Sequence, residues 1–211
     1  MYPQTSTEVM PSVLRTFALS LAIAFVGTMV GTIVPVGLFI PLSILEFVMI
    51  LAAVFFRRKK AISYGFLYAF TFISGITLYP VVSHYASTAG ANVVIMAFAS
   101  TTVVFSGIAI YAAKSKRNFS FLGGFLLAAL LALVAISIFN IFFPLSTTGM
   151  LAYSFIGVVV FSGYVLFDIS QMKHYGVRPE EVPLMALSLY LDFINLFLSI
   201  LRILGIFNSK D

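Results

Sequence analysis

The chain is predicted to be an all-α, polytopic membrane protein: seven transmembrane helices forming a single domain over residues 1–211. Three observations predict this. Of the 211 residues, 61% are hydrophobic and 9% charged, and the mean hydropathy is +1.10, far from an ordinary soluble domain or a disordered chain. Residues 16–45, 61–113 and 118–167 contain no Asp, Glu, Lys or Arg. Each interval has room for one or two crossings, because about 20 apolar residues span the hydrocarbon. The basic residues gather where the apolar pattern breaks, at the ends of helices rather than along a polar face.

The breaks define the spans in order. The first, residues 13–34, has an apolar stretch that begins after Arg15, contains Gly27-x-x-x-Gly31 and stops at Pro35; it has no small-x-small cleavage site, so it is expected to be a retained helix rather than a signal peptide. The second, 38–56, contains Glu46 and runs into Arg57-Arg58-Lys59-Lys60. The third, 61–82, has Pro80 near its end, with Tyr79 and Tyr85 close by, whose rings suit a membrane interface. The fourth, 91–113, meets Lys114, Lys116 and Arg117. The fifth, 119–143, opens with the packing glycines Gly123-Gly124, contains Asn140 and stops at Pro144. The sixth, 150–172, contains Asp168 and ends at Lys173. The seventh, 184–204, begins after Pro183. His84 and His174 are expected in loops on opposite sides. The connections are short, so consecutive helices are antiparallel neighbours.

Seven crossings place Arg15, Arg57, Arg58, Lys59, Lys60, Lys114, Lys116, Arg117, Lys173 and Arg178 on one side and leave Arg202 and Lys210 on the other. The positive-inside rule then puts the N-terminus in the cytoplasm and the C-terminus outside. This topology accounts for the net charge of +5 without a nucleic-acid partner. The absence of Cys excludes a disulfide framework, thiol catalysis and thiolate metal sites.

Three of the seven acidic residues, Glu46, Asp168 and Asp192, fall inside predicted spans. A carboxylate there costs roughly 2.5–3.5 kcal/mol on insertion scales, so such residues mark ion or proton paths by default. Asp168 lies about five residues, roughly 7 Å, inside the basic end of its helix, and Asp192 about nine residues, roughly 13 Å, in from the same side. These depths let the two carboxyls meet. Ser188, Asp192, Asn195 and Ser199 recur at i, i+4, i+7, i+11, a polar stripe facing the protein interior. Two carboxyls in contact in a low dielectric cannot both ionise, and one proton is shared between them. The bland alternative is that each Asp accepts hydrogen bonds from Ser, Asn or Tyr and holds helices together. Arg57 ends the second span on the same side and is placed to support the pair. Glu46, near mid-membrane, either lines a cation path or is held by a hydroxyl. Asn140 is a further candidate for the ion path, with interhelical hydrogen bonding as the competing role.

With these residues in view, the chain resembles the transmembrane Bax inhibitor motif family, especially its bacterial YetJ-type members. The resemblance is carried by Pro41-Leu-Ser-Ile-Leu-Glu46, Phe72-Ile-Ser-Gly-Ile-Thr-Leu-Tyr-Pro80, Phe139-Asn-Ile-Phe142 and, most distinctively, Met185-Ala-Leu-Ser-Leu-Tyr-Leu-Asp-Phe-Ile-Asn-Leu-Phe197. It implies two three-helix layers around a central C-terminal helix and a pH-sensitive calcium leak in a bacterial plasma membrane. It also implies that Asp168 and Asp192 form the pH-sensing pair and are candidate Ca²⁺ contacts, with Arg57 associated and Glu46 matching the acidic residue of the second helix. The expected partners are the lipid bilayer, Ca²⁺ as transported ion and protons; no cofactor is expected.

Two other functions are weighed against a conduit. An intramembrane aspartyl protease uses aspartates on successive helices, but Leu189-Tyr-Leu-Asp192 lacks the Gly-x-Gly-Asp pattern of that class and no Pro-Ala-Leu element follows. A retinal-based light sensor needs a mid-span Lys in the seventh helix, and Lys210 lies beyond it. The expectation is therefore a membrane conduit and not an enzyme.

Overall fold

The computed structural model describes residues 6–56 and 62–209. Among these residues there is no strand, and seven helices are long and apolar enough to cross a membrane: α1 (Ser6–Gly31), α2 (Phe39–Phe56), α3 (Tyr64–Thr88), α4 (Ala91–Lys114), α5 (Leu122–Phe142), α6 (Thr147–Tyr175) and α7 (Val182–Asn208). The seven predicted spans are these seven helices.

Several ends differ from the sequence reading. α1 starts well before residue 13 and takes Pro11 into its early turns. α3 continues past Pro80 to Thr88. α6 extends to Tyr175, about 43 Å in all at 1.5 Å per residue, more than the hydrocarbon needs. His84 and His174 consequently lie in helices, not in loops. The physical stops are Gly90 (φ +100°) and Gly176 (φ +76°), whose positive φ is open to glycine and breaks the helical backbone. Hydropathy falls off before the hydrogen-bonded helix does, so apolar runs understate both ends.

The chain packs as two compact units. One comprises the described part of residues 1–84 together with 175–190, so it holds α1, α2, most of α3 and the opening turns of α7. The second, residues 85–174 and 191–211 as far as described, holds α4, α5, α6 and the rest of α7. Each unit thus draws on three helices plus a share of α7, and α7 is the most enclosed span, with 56% of its apolar window buried.

In the first unit, α1 and α3 touch backbone to backbone. A Cβ at Gly27 would strike the Phe72 carbonyl, and one at Gly75 would strike the Ala24 carbonyl. Thr28 Oγ1 bridges this contact, within 3.0 Å of both the Ala24 and Gly75 carbonyls. Further along, a Cβ at Gly31 would lie 3.1 Å from the Ile76 carbonyl, the group whose ladder partner is missing because Pro80 has no N–H. The fully buried Tyr190 ring meets Phe70 edge-on at 6.2 Å.

In the second unit, Leu126, Leu133 and Val160 pack α5 against α6. Phe98 and Phe105 from α4 enclose Phe193 at 5.8 and 5.4 Å. The basic end is tied by Lys173, whose Nζ donates to the carbonyls of Ala113 and Ser115 at 2.8 and 2.7 Å, capping the last turn of α4. Phe119 N donates to Ser170 Oγ at 3.1 Å, and Gln171 Nε2 to Ser120 Oγ at 2.9 Å.

Large apolar side chains cover the outside. Ile33 and Ile141 are 80% and 75% exposed, and Phe25, Phe125 and Phe142 are similarly bare. A surface this apolar is stable in lipid and not in water. The protein is a multi-pass membrane protein.

Candidate functional site

α7 carries Asp192 into an enclosed interior: Leu189, Tyr190, Phe193 and Leu196 of the same helix are all buried. Asp192 itself is 6% exposed. Its Oδ2 is fully buried and accepts no hydrogen bond among the described residues. An unsatisfied buried carboxyl oxygen costs about 1–3 kcal/mol or more, so its presence calls for a reason.

Asp168 supplies the first part of that reason. It is half-buried on α6 in the same unit, and its charge acts on Asp192. The sequence-predicted pair is therefore brought into one electrostatic environment. Tyr164, four residues before Asp168 and so on the same face of α6, feels both carboxylates. α6 comes close to α7 at Gly157, where a Cβ would lie 2.5 Å from Ser199 Oγ.

Two other members of the α7 stripe bond within their own helix. Asn195 Nδ2 donates to the Leu191 carbonyl and Ser199 Oγ to the Asn195 carbonyl, both at 2.8 Å. Ser188 is half-buried in the part of α7 that belongs to the first unit.

The remaining candidates lie elsewhere. Arg57 lies outside the described residues. Glu46, in the first unit, has its Oε2 2.5 Å from Thr77 Oγ1, which also reaches the Ser74 carbonyl at 3.0 Å. Asn140, near the end of α5, accepts a hydrogen bond from Leu145 N at 2.8 Å and so ties down the start of the α5–α6 connection. The connection between α6 and α7 is ordered by Arg178, whose side chain pairs with Glu180 at 3.3 Å and Glu181 at 2.7 Å, while its backbone N donates to Glu181 Oε2.

Four residues escaped the sequence reading. Tyr164 could have been found from its i−4 spacing to Asp168. Thr77 and Gly75 sat inside the Phe72–Pro80 motif but carry no charge, the property that singled out Glu46. Gly157 offered no signal of its own, because a lone small residue in an apolar run reads as packing.

Among the described residues no three His, Cys, Asp or Glu side chains gather to hold a metal ion. Two carboxylates fall well short of the six to eight oxygens that Ca²⁺ takes. The arrangement can contact a hydrated cation in passing or hold a proton; it is not a ready-made resident metal centre.

Comparison with known proteins finds relatives over most of the chain. The family model described as inhibitor of apoptosis-promoting Bax1 matches residues 6–209. An uncharacterized protein of Campylobacter jejuni is 36% identical over 203 residues, covering 92% of this chain and 86% of the relative. An uncharacterized membrane protein of Vibrio cholerae is 39% identical over 200 residues, 90% and 84% of the two chains. Bax inhibitor 1 of Schizosaccharomyces pombe is 36% identical over 172 residues, 80% of this chain and 63% of that protein. The chain belongs to the Bax1-inhibitor family, the transmembrane Bax inhibitor motif family that its sequence resembles.

Proposed function

We propose that the protein is a passive, pH-sensitive conduit for Ca²⁺ across the bacterial plasma membrane, closed by a proton held between Asp168 and Asp192. The N-terminus and basic loops face the cytoplasm in this reading. The observation that carries it is the buried Asp192 Oδ2, left without a hydrogen-bond donor beside a second carboxyl. A polar group with no task beyond packing can bond within its own helix, as Asn195 and Ser199 do by donating to backbone carbonyls of α7. A carboxyl that keeps an acceptor open in a dry interior is suited to a mobile cation or proton.

The latch is strongest with a single proton between the two carboxyls, since a charge-assisted O–H···O⁻ bond is about twice as strong as a neutral one. Removing that proton leaves two like charges face to face across α6 and α7. Adding a second replaces the strong bond with an ordinary one. Either change loosens the two helices where Gly157 lets them approach. Ca²⁺ then passes with most of its water shell, because two carboxylates can replace only a few of its ligands. The pair acts as a latch and not as a catalytic dyad, and Arg57 is its supporting cation.

The test is Ca²⁺ entry into liposomes that hold the purified protein and an internal indicator, measured across pH against protein-free liposomes. The expected result is protein-dependent entry with a minimum where the pair holds one proton. Entry no faster than in empty liposomes at every pH rejects the proposal.

A further inference from the structure

The second unit contains a polar cavity of about 190 Å³ where the end of α5, the start of α6 and the end of α7 meet, remote in sequence from the carboxyl pair's end of α6. Its polar lining is Arg202, Tyr153, Ser137 and Asn140, and the rest is apolar. Arg202 is half-buried, about six residues or roughly 9 Å before the end of α7. Its guanidinium lies over the Tyr153 ring, 5.7 Å from the centroid. Among the described residues no carboxylate is within ion-pairing distance of it. A cation–π contact contributes about 0.5–2 kcal/mol, which does not offset the cost of a guanidinium held inside a span. The charge needs a counter-ion.

The neighbouring groups offer hydrogens rather than lone pairs. Tyr153 OH and Ser137 Oγ are 2.6 Å apart, so one of their two hydrogens joins them and the other remains to be donated. Asn140 Oδ1 is occupied by Leu145 N, which turns the amide's two N–H hydrogens into the available function. A planar five-donor guanidinium, a hydroxyl and an amide NH₂ around one small cavity form a donor set for a multidentate oxyanion.

We infer that this cavity binds a phosphate oxyanion, with Arg202 as the charge partner and Tyr153, Ser137 and Asn140 as additional donors. At the depth of Arg202, close to a helix end, that phosphate can come from the headgroup of an anionic phospholipid or from free phosphate in solution. The two sources share the chemistry and differ in what else must be bound. Occupation would join α5, α6 and α7 at one end of the unit, a different place and a different charge from the proposed cation latch, so the inference does not depend on that latch.

The experiment is a thermal-unfolding titration followed by helix circular dichroism, on the delipidated full chain in neutral detergent. The probes are dioctanoylphosphatidylglycerol, inorganic phosphate and, as a phosphate-free control, dioctanoylglycerol. The expected result is a saturable rise in the unfolding midpoint with a phosphate-bearing probe and none with dioctanoylglycerol. Arg202→Gln is expected to weaken that response at least about tenfold, the loss for one charge-assisted contact. A response to phosphatidylglycerol alone assigns the site to a lipid headgroup, and a response to both probes assigns it to the oxyanion itself. If Arg202→Gln does not fold, Tyr153→Phe and Asn140→Ala are titrated instead and are expected to weaken the response too. No saturable shift with either phosphate probe, or equal shifts in the wild type and these variants, overturns the inference.

Discussion

Asp192 and Glu46 are both acidic residues within membrane-spanning helices, yet their surroundings treat them differently. Glu46 meets the Thr77 hydroxyl on a neighbouring helix of its own unit, a local solution to the presence of a polar group in an apolar setting. Asp192 is more deeply enclosed and has one oxygen with no partner among the described residues. That contrast, and not the mere presence of acid in a span, is what singles out the α6–α7 pair for the proposed latch. The same single-residue logic applies to the glycines. At Gly75 a methyl group would meet the Ala24 backbone, which cannot rotate away, whereas at Gly124 it would meet nothing within 4 Å. Gly75→Ala is expected to lower stability by about 1–3 kcal/mol, the usual cost of overpacking, and Gly124→Ala to leave it nearly unchanged. Thermal unfolding of the two variants in one detergent checks the difference; equal midpoints would show that α1 and α3 are not in backbone contact.

At the level of the helix, the sequence is legible where hydropathy and charge speak and silent where geometry does. All seven helices could be read from apolar runs and breaks, because hydrocarbon demands about 20 such residues and tolerates few charges. Their ends could not, since the last turns of α3 and α6 are polar enough to resemble loops and are closed by Gly90 and Gly176. A glycine after an apolar run is a helix-stop signal, but hydropathy is lost several residues before either glycine. Pro80 looked like a terminator and instead sits inside α3, where α1 packs against the carbonyl it releases. The polar stripe of α7 was legible from its spacing, yet nothing in that spacing told that Asn195 and Ser199 would bond to their own helix and leave Asp192 to its neighbour on α6. The Arg202 cavity was illegible for the same reason. Its four polar residues come from three helices, and each alone reads as an interfacial anchor or an interhelical tie.

For the whole molecule, the two units and the shared use of α7 follow from a chain whose apolar segments are nearly continuous and whose connections are short. Orientation rests on the distribution of Lys and Arg, and it has a simple check, because the chain has no Cys of its own. In cells, Asn208→Cys is expected to react with a membrane-impermeant maleimide added outside, and Lys116→Cys only after permeabilisation. The opposite pattern would invert the topology and place the basic loops outside. Both positions are exposed, so burial does not confuse the outcome.

The proposed mechanism joins these scales at one point, since a proton shared by two side chains sets the spacing of two helices and thereby the permeability of the molecule. The measurement that reaches it most directly is the pH profile of Ca²⁺ entry into proteoliposomes for Asp168→Asn and Asp192→Asn beside the wild type. An amide keeps the shape of the carboxyl and removes the second titrating group, so each variant is expected to transport Ca²⁺ at a rate that no longer passes through a minimum with pH. A wild-type profile retained in both variants would contradict the account, because the pH response would then arise from other groups.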